Sequence, residues 1–320
     1  MSLETEAVLD RRRLRRSLSL WRVLTVLAAA AAIAAIAMYG SSSDAVIGGK
    51  KQIARVALEG VITENRDQIK LLKQIADAKH VEALILYINS PGGTTTGGEA
   101  LYEAIRGVSA KKPVVAQFGT IATSAAYICG LATDQIFARG NTITGSVGVI
   151  FQWAEISELL AKVGVKMNEI KSGPLKATPS PFQPIDTAGK AAAERMIADS
   201  MTWFQGLVAT RRGIDTTTIP GLVQGGIFSG REALGHKLVD QIGGETEAVN
   251  WLVEKRGVHK GLKVVDWKPK ATESWGVLGM TGMVLKLFGI NLDGRFPAAE
   301  PGLASLMLDG LVSIWQPTEN

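Results

Sequence analysis

Largely apolar segments alternate with amphipathic segments through the middle of the chain. Residues 53–62 (IARVALEGVI), 81–90 (VEALILYINS) and 112–119 (KPVVAQFG) have the nearly continuous apolar character of strands that are buried on both faces. Residues 63–79, between the first two, are mostly polar and carry apolar side chains at helical spacing. Strands that alternate with helices predict an α/β fold with a mainly parallel sheet.

The same patterns predict the remaining elements. Further short strands are expected at 135–140 (QIFARG), 146–151 (SVGVIF) and 166–170 (KMNEI). Helices are expected at 98–108, 124–132, 154–163, 188–212 and 246–256. The strand that ends in Ser-Pro-Gly-Gly at 90–93 is expected to make a sharp turn there, where the backbone can approach a ligand.

An apolar run without charge, glycine or proline extends from Val23 to Tyr39. A helix of about 20 apolar residues spans the hydrocarbon core of a membrane, and Trp21 and Tyr39 bracket the run as interfacial aromatics do. Arginines crowd the segment before the run, whereas residues 40–49 include no basic side chain. The sequence therefore predicts a retained membrane anchor, with a signal peptide cleaved near AAIAAIA as the alternative.

This anchor sets the predicted organisation of the chain. We expect a cytoplasmic basic tail at 1–20, a transmembrane anchor at 21–39, a flexible linker at 40–51, a folded domain at 52–267 and a C-terminal extension at 268–320. The extension includes an apolar stretch interrupted by glycines, for which a subunit contact is favoured over a second membrane span. The charge asymmetry predicts a single-pass protein whose folded domain lies on the exported side of the cytoplasmic membrane.

The composition describes a packed protein, since 46% of the 320 residues are hydrophobic and 20% are charged. The net charge of +5 does not indicate nucleic-acid binding, because arginines are concentrated among the first residues. The single cysteine, Cys129, excludes an intrachain disulfide, and its apolar neighbours indicate a buried thiol. His80, His236 and His259 show no metal-ligand spacing, so neither a metal nor a cofactor is expected.

Glycines and a serine that follow the predicted strands carry the candidate chemistry. Gly92 and Gly93, in YINSPGG, have backbone N–H groups that can stabilise an oxyanion, although an ordinary turn would look the same. Ser124, in IATSAAY, lies at the start of an apolar helix, where it is either a helix cap or a nucleophile favoured by the helix dipole. The N–H group of Ala125 would then be a second oxyanion donor.

A serine nucleophile needs a base, and with so few histidines in the chain a lysine is the better candidate. Lys176 lies in the sparsely charged segment SGPLKATPSPF, where it is either a buried base or a solvated loop lysine. Lys171 is nearby, in a position more typical of solvent. Ser146, in TITGSVGV, is either a turn serine or a hydrogen-bond partner that orients the amine of Lys176.

Five segments in a fixed order resemble the bacterial signal peptide peptidase A family, in its short, single-domain, membrane-anchored form. They are INSPGG, ATSAAYICGLATDQIFA, TITGSVGVIF, KSGPLKATPSPF and GGIFSGREALGHKLVDQIGG, and the resemblance runs from about Ile53 to Glu254. It implies a Ser/Lys-dyad serine protease with the Clp protease/crotonase-like fold, at the bacterial inner membrane.

The resemblance also implies a role for each candidate residue. Ser124 matches the nucleophile, Lys176 the general base and Ser146 the serine that orients the lysine. Gly93 lies in the oxyanion segment, with Gly92 as the alternative. This chain departs from the family in one respect, because Ala125 and Ala126 replace two glycines that the family commonly has. Alanine keeps the N–H donor, and the two added methyl groups are expected to affect the substrate preference.

The partners follow from the same resemblance. It implies peptide substrates, namely remnant signal peptides in the membrane, and a ring-like homo-oligomer whose catalytic residues meet across subunit boundaries. Two other functions compete with this interpretation. A crotonase-like acyl-CoA enzyme is disfavoured by the predicted export, because acyl-CoA is cytoplasmic. A non-catalytic membrane scaffold is disfavoured by the intact serine, lysine and glycine set.

Overall fold

A computed structural model describes residues 21–22, 25, 50–269 and 312–314 of the chain. The chain divides between Lys50 and Lys51 into two units, and the elements described below belong to the second unit. The predicted tail, nearly all of the predicted anchor and linker, and most of the predicted C-terminal extension lie outside the described residues. Among the described residues, no helix combines the length and the apolar character needed to cross a membrane.

Strands and helices alternate along the second unit. The strands are β1 (Gln52–Ile62), β2 (Val81–Thr94), β3 (Val114–Thr123), β4 (Gln135–Ala138), β5 (Ile143–Gly145), β6 (Ile227–Ser229), β7 (Gln241–Ile242), β8 (Lys263–Asp266) and β9 (Val312–Ile314). The helices are α1 (Arg66–Asp77), α2 (Thr95–Ser109), α3 (Ala125–Leu131), α4 (Ser157–Lys162), α5 (Thr187–Arg212), α6 (Gly230–Gly235) and α7 (Glu245–Arg256), with short 3-10 turns at Thr216–Thr218 and Leu222–Gln224.

All strands of the described residues belong to one sheet, whose main order is β6-β5-β3-β2-β1-β8. Strand β4 pairs with β3 and β7, and β9 pairs with β2. The pairings of β5 with β6 and of β2 with β9 are antiparallel, and the other pairings are parallel. The predicted α/β fold with a mainly parallel sheet is therefore confirmed.

The two faces of the sheet bury separate apolar clusters. Leu84 and Leu86 of β2 belong to the larger cluster, which also includes buried side chains of α1, α2, α3 and α5. Ile85, between them, belongs to the smaller cluster with Ala248 and Leu252 of α7. Since successive side chains of a strand point to opposite faces, burial on both faces explains why this strand is largely apolar without alternation.

Several predicted elements are present within a few residues of their expected bounds, and two predicted strands are wrong. The strand expected at 146–151 lies earlier, at β5, because Gly145 and Ser146 have φ values of +88° and +52° and end the extended backbone. Residues 166–170 form no strand, and they are exposed. None of the strand pairings among the described residues involves this segment.

The sharp turn expected at Ser-Pro-Gly-Gly is also wrong, because β2 continues through both glycines to Thr94. The register between β1 and β2 shifts between Glu59 and Val61, and the pairing then resumes with Gly92 and Gly93. Gly60, at the shift, has a φ of +69°. Across this shift β2 advances three residues, from Asn89 to Gly92, while β1 advances two, so the irregularity lies in β2 and the glycine segment remains in the sheet.

A mostly exposed segment, residues 151–186, connects the sheet to α5, and we call it the arm. It includes α4, which has no buried residue. Ser180 is buried, whereas most other arm residues are exposed. Only toward its C-terminal half does α5 reach the core, through buried Phe204 and Val208.

Candidate active site

The carboxyl ends of β2, β3 and β5 lie side by side at one edge of the sheet. Ser90 of β2 is paired with Ala122 of β3, and Thr123 of β3 is paired with Gly145 of β5. Parallel strands that are neighbours place the residues following them at the same edge. The structure therefore brings together the glycine segment after Ser90, the residue after β3 and the residue after β5.

Ser124 is the residue that joins β3 to α3, and its backbone is strained. Its φ and ψ are 59° and −121°, a conformation that residues other than glycine rarely adopt. Its N–H group donates a hydrogen bond to the carbonyl oxygen of Gly145 at 2.9 Å, and its carbonyl oxygen accepts one from Ile128 at 3.0 Å. A strained strand-to-helix turn presents the nucleophilic serine in α/β-hydrolases.

The alternative that Ser124 merely caps a helix does not fit the geometry. Ser124 occupies the N-cap position of α3, yet its side chain makes no capping hydrogen bond to the helix. By contrast, the Thr94 hydroxyl caps α2 by accepting a hydrogen bond from the N–H group of Gly97 at 3.1 Å. The Ser124 side chain is buried, so its position is imposed by packing and by the backbone around it.

The helix that follows Ser124 is buried along its whole length. Its first residue, Ala125, packs against α2 at Gly98, where an added methyl group would lie 3.2 Å from the Ala125 Cβ atom. The methyl group of Ala125 thus fills space between two helices. A glycine on the neighbouring helix leaves the room for this methyl group.

The two candidate oxyanion glycines, Gly92 and Gly93, are consecutive residues of β2. The N–H group of Gly92 donates to the Ser90 hydroxyl at 3.1 Å, so this donor is already engaged within the strand. Gly93 is the next residue of the same segment. It is paired with Ile62 of β1 and with Ser313 of β9, and its role as the oxyanion donor stays a prediction.

The backbone approaches Gly93 so closely that only glycine fits. A methyl group on this residue would lie 1.8 Å from the carbonyl oxygen of Ile62, which is far inside van der Waals contact. The φ of Gly93 is not in the left-handed region. Glycine is therefore required here because there is no room for a side chain, and not because of backbone strain. Pairing with β1 therefore fixes the position of the predicted oxyanion segment.

Ser146 follows β5 and lies beside the Ser124 backbone. It is largely buried, and its N–H group donates to the carbonyl oxygen of Gly226 at 2.7 Å. Its φ of +52° follows the φ of +88° at Gly145, whose carbonyl oxygen accepts the Ser124 hydrogen bond. Ser146 and Ser124 are thus buried serines with left-handed φ values on adjacent strand ends.

Lys176, the predicted base, is on the arm, and its side chain is exposed in the single chain. Its own N–H group donates to the carbonyl oxygen of Gly173 at 3.1 Å. Lys171 is instead half-buried and forms an ion pair with Glu169 at 2.6 Å. The Lys171 side chain is thus held by Glu169 within the arm.

Two arginines bind the C-terminal end of α3, and the sequence patterns do not predict them. Arg211 of α5 donates to the carbonyl oxygens of Leu131 at 2.7 Å and Thr133 at 2.8 Å, and Arg106 of α2 donates to that of Ala132 at 3.1 Å. Cations at a helix C-terminus satisfy its last carbonyl groups and complement its dipole. No local pattern signals these contacts, because they join residues distant in sequence.

Other reactive side chains lie in settings that do not suggest catalysis. The Cys129 thiol is fully buried in α3, and this burial raises its pKa to about 12. His80 directly precedes β2, a strand of 14 residues, so it lies about 40 Å from Gly93 along the strand. The Nδ1 atom of His259 lies 2.8 Å from a carboxylate oxygen of Glu82 at that same distant end. Within the described ranges, no three His, Cys, Asp or Glu side chains converge as metal ligands.

Comparisons with known proteins agree with this geometry. The family model described as Peptidase family S49 matches residues 106–259, and the one described as Clp protease matches residues 52–141. The fold is accordingly Clp protease-like. The first match includes Ser124, Ser146 and Lys176, and the second includes Gly93 and Ser124.

Curated relatives extend the similarity over most of their own length. A protein of Synechocystis sp. named as a protease is 34% identical over 211 residues, which are 65% of this chain and 76% of the relative. A Methanocaldococcus jannaschii protein, also named as a protease, is 28% identical over 82% of this chain and 88% of its own. An Enterococcus faecium protein named signal peptide peptidase SppA is 31% identical over 70% of each chain.

Replacement of Gly93 by alanine tests the close backbone approach. Gly93→Ala is expected to lower the free energy of unfolding by about 1–3 kcal/mol, because the new methyl group displaces the Ile62 carbonyl oxygen. The matched control is Gly107→Ala in α2, where nothing lies within 4 Å of the added methyl group. This control is expected to gain about 0.5–1 kcal/mol, as alanine is the better helix former. Equal effects in urea unfolding would contradict the assignment.

Replacement of Ser124 by glycine and by alanine tests the backbone strain. A left-handed residue other than glycine costs about 1–3 kcal/mol, and the greater freedom of glycine in the unfolded chain offsets about 0.4–1 kcal/mol. Ser124→Gly is therefore expected to be about 1 kcal/mol more stable than Ser124→Ala in urea unfolding. An alanine variant as stable as the glycine variant would show that the backbone here is not strained.

Proposed function

The chain belongs to peptidase family S49 and is a serine peptidase, and from this premise we propose that Ser124 and Lys176 form its catalytic dyad. The observation that carries the proposal is the strained, buried Ser124 at the junction of β3 and α3, one strand away from the Gly93 segment. The small side chains of Ala125 and Ala126 flank the serine.

In the proposed reaction, the Ser124 hydroxyl oxygen attacks the carbonyl carbon of a peptide bond while its proton passes to the neutral amine of Lys176. The N–H groups of Gly93 and Ala125 stabilise the oxyanion of the tetrahedral intermediate. Collapse of the intermediate breaks the C–N bond, and the protonated lysine returns the proton to the leaving amine. A water molecule then hydrolyses the acyl-enzyme by the same steps.

Ser146 is proposed to orient the lysine. It is largely buried at the end of β5, and the Gly145 carbonyl before it is bonded to the Ser124 N–H group. A hydroxyl at this place is suited to hydrogen-bond an amine that approaches Ser124. Through that bond it would direct the nitrogen lone pair toward the serine proton.

We further propose that Lys176 completes the site of a neighbouring subunit in a homo-oligomer. A lysine acts as a base when it is desolvated, and in the single chain the Lys176 side chain is exposed. The arm around it also exposes large apolar side chains. They include Leu159 (59% exposed), Val163 (66%), Val165 (46%), Met167 (47%) and Leu175 (46%). Burial of this apolar surface against another copy would remove water from the lysine and favour its neutral form.

The proposed substrates are remnant signal peptides and similar apolar peptides in the bacterial inner membrane. One relative is named signal peptide peptidase, and the run from Val23 to Tyr39 has the composition of a membrane anchor. An anchor would hold the peptidase domain beside the bilayer, on the exported side. There the domain would meet the peptides that remain after precursor cleavage.

The dyad is tested by replacing both residues. Ser124→Ala and Lys176→Ala are each expected to lower peptide hydrolysis about a thousandfold or more, and Lys176→Arg is expected to be equally inactive because arginine stays protonated. Lys171→Ala is the matched control, since Lys171 is on the same arm but paired with Glu169. Near-normal turnover by the Lys176 variants would contradict the proposed base.

The shared site is tested with the same two inactive variants. When Ser124→Ala and Lys176→Ala chains are assembled together, some boundaries are expected to pair an intact serine with an intact lysine, so hydrolysis returns. Each variant assembled alone is the control. Mixed oligomers that remain inactive would reject the shared site and leave a dyad within one chain.

The orientation is tested with a reporter enzyme that is active only after export. Fused to the C-terminus of the full chain, the reporter is expected to be active, because the arginines before Val23 hold the N-terminus in the cytoplasm. The same reporter fused to the N-terminus is expected to be inactive. The reverse result would overturn the proposed topology.

A further inference from the structure

The amino ends of the central strands meet at the end of the sheet opposite to the candidate active site. Gln52 of β1 lies opposite Val81 of β2 and Lys263 of β8, so these three parallel strands begin side by side. Since β2 is 14 residues long, this end lies about 40 Å from the glycine segment. Basic side chains are concentrated at this end, and we call them the basic face: Lys51, Lys73, Lys79, Lys111, Lys112, Lys255, Arg256, Lys260 and Lys263.

Ion pairs and hydrogen bonds join the loops that carry the basic face. The Glu82 carboxylate accepts hydrogen bonds from the Lys51 ammonium group at 2.8 Å and from the N–H group of His259 at 3.0 Å. Lys111, before β3, pairs with Asp77, at the end of α1, at 2.7 Å. These contacts bring the starts of β1, β2 and β3, the end of α1 and the segment before β8 onto one surface.

The C-terminal end of α7 belongs to the same surface. Arg256, its last residue, pairs with Asp134 at 3.0 Å. Asp134 also accepts a hydrogen bond from the N–H group of Val114, the first residue of β3, at 3.0 Å. The basic side chains are therefore contributed by neighbouring elements, although they are distant in sequence.

The basic face has more positive charge than the carboxylates around it balance. The acidic side chains of these loops and helix ends are Asp77, Glu82, Asp134 and Glu254, and the first three are already in ion pairs. Within the described part of the chain, the exposed lysines of this face that form no ion pair are Lys73, Lys79, Lys255, Lys260 and Lys263. Like charges on one surface repel each other, so an anionic partner bound there relieves the repulsion.

We propose that the basic face binds the anionic headgroups of a lipid bilayer. This inference rests on the proposed function and deepens it, because it states which end of the peptidase domain faces the membrane. The predicted linker ends at Lys51, directly before β1, so the chain reaches the domain from the predicted anchor at the basic face. Clustered lysines close to a membrane segment bind acidic lipids by charge attraction.

The predominance of lysine on the basic face favours lipid over nucleic acid as the partner. Arg256 is the one arginine among the side chains that define the face, and it is engaged with Asp134 and with the ring of Trp251, whose centroid lies 5.8 Å from its guanidinium carbon. Arginine is the residue suited to bidentate recognition of nucleic acids. Ammonium groups that act as point charges are sufficient for lipid headgroups.

Binding through the basic face would turn the candidate site away from the bilayer. Gly93 and Ser124 lie toward the carboxyl ends of β2 and β3, about 40 Å from the basic face along the strands. A remnant signal peptide would then be cleaved after it has left the bilayer, and not within it.

The first test uses the full chain reconstituted in nanodiscs of phosphatidylcholine, with or without phosphatidylglycerol. Sulfosuccinimidyl acetate acetylates accessible lysines, and mass spectrometry gives the rate at each one. Lys79, Lys260 and Lys263 are expected to react about 3- to 10-fold more slowly in the anionic nanodiscs. Lys70 and Lys190 are exposed lysines outside the basic face, and their rates are expected to be unchanged. In about 1 M salt, where charges are screened within about 3 Å, the protection is expected to disappear.

The second test reverses charges on the basic face. In Lys79→Glu/Lys260→Glu, the remaining Lys263 is expected to react at nearly the same rate in both kinds of nanodisc. Lys70→Glu/Lys190→Glu makes the same change of charge elsewhere on the surface, and this control is expected to keep the protection of Lys263. Hydrolysis of a water-soluble peptide is expected to be unchanged in both variants, which shows that each one is folded.

Equal reaction rates in the two kinds of nanodisc would overturn the inference, and so would protection of the basic face by a DNA duplex but not by phosphatidylglycerol. A full chain that is not retained in either nanodisc would reject both the anchor and the inference. Failure of the proposed catalysis looks different, because hydrolysis would be absent or independent of Ser124 while the labelling rates would still decide whether the basic face binds lipid.

Discussion

The parallel pairing of β2, β3 and β5 is the constraint on which the candidate site depends. Each of these strands ends at the same edge of the sheet, and each is followed there by one part of the site. Side chains alternate between the two faces of a strand, so a slip of one residue would exchange the faces. The buried clusters on both sides of the sheet oppose any such slip.

The backbone is strained at this edge of the sheet, and the surrounding contacts keep it in that conformation. Ser124 and Ser146 both have left-handed φ values, at a cost of about 1–3 kcal/mol each. The buried helix α3 follows the first serine, and Arg106 and Arg211 hold the carbonyl groups at the far end of that helix. A nucleophile in such a setting is positioned by the whole core, because relaxing its backbone would disturb every contact of α3.

The candidate site combines rigid and exposed parts. The glycine segment and the two serines belong to the buried sheet edge, whereas Lys176 is on the exposed arm. Strand β9 pairs antiparallel with the end of the glycine segment. In the proposed function, the core supplies the nucleophile and a neighbouring copy supplies the base.

The sequence by itself determined the fold class, the central strands and the order of the site residues. Continuous apolar patterns identify β2 and β3 because these strands are buried on both faces, whereas β1 is buried mainly on the face that carries Ala54, Val56 and Leu58. The same patterns failed at 146–151 and 166–170, where strands were expected. A strand requires a partner for its backbone groups, and the local composition does not show whether one is present.

Tertiary structure alone decided how the site is shaped. It kept the Ser-Pro-Gly-Gly segment in the sheet, through a register shift with an extra residue in β2 and the close approach of the Ile62 carbonyl to Gly93. It also placed β9 beside that segment and the arginines behind α3. The physical reason is that these contacts join backbone groups far apart along the chain. Such contacts depend on register and packing, which short sequence patterns do not encode.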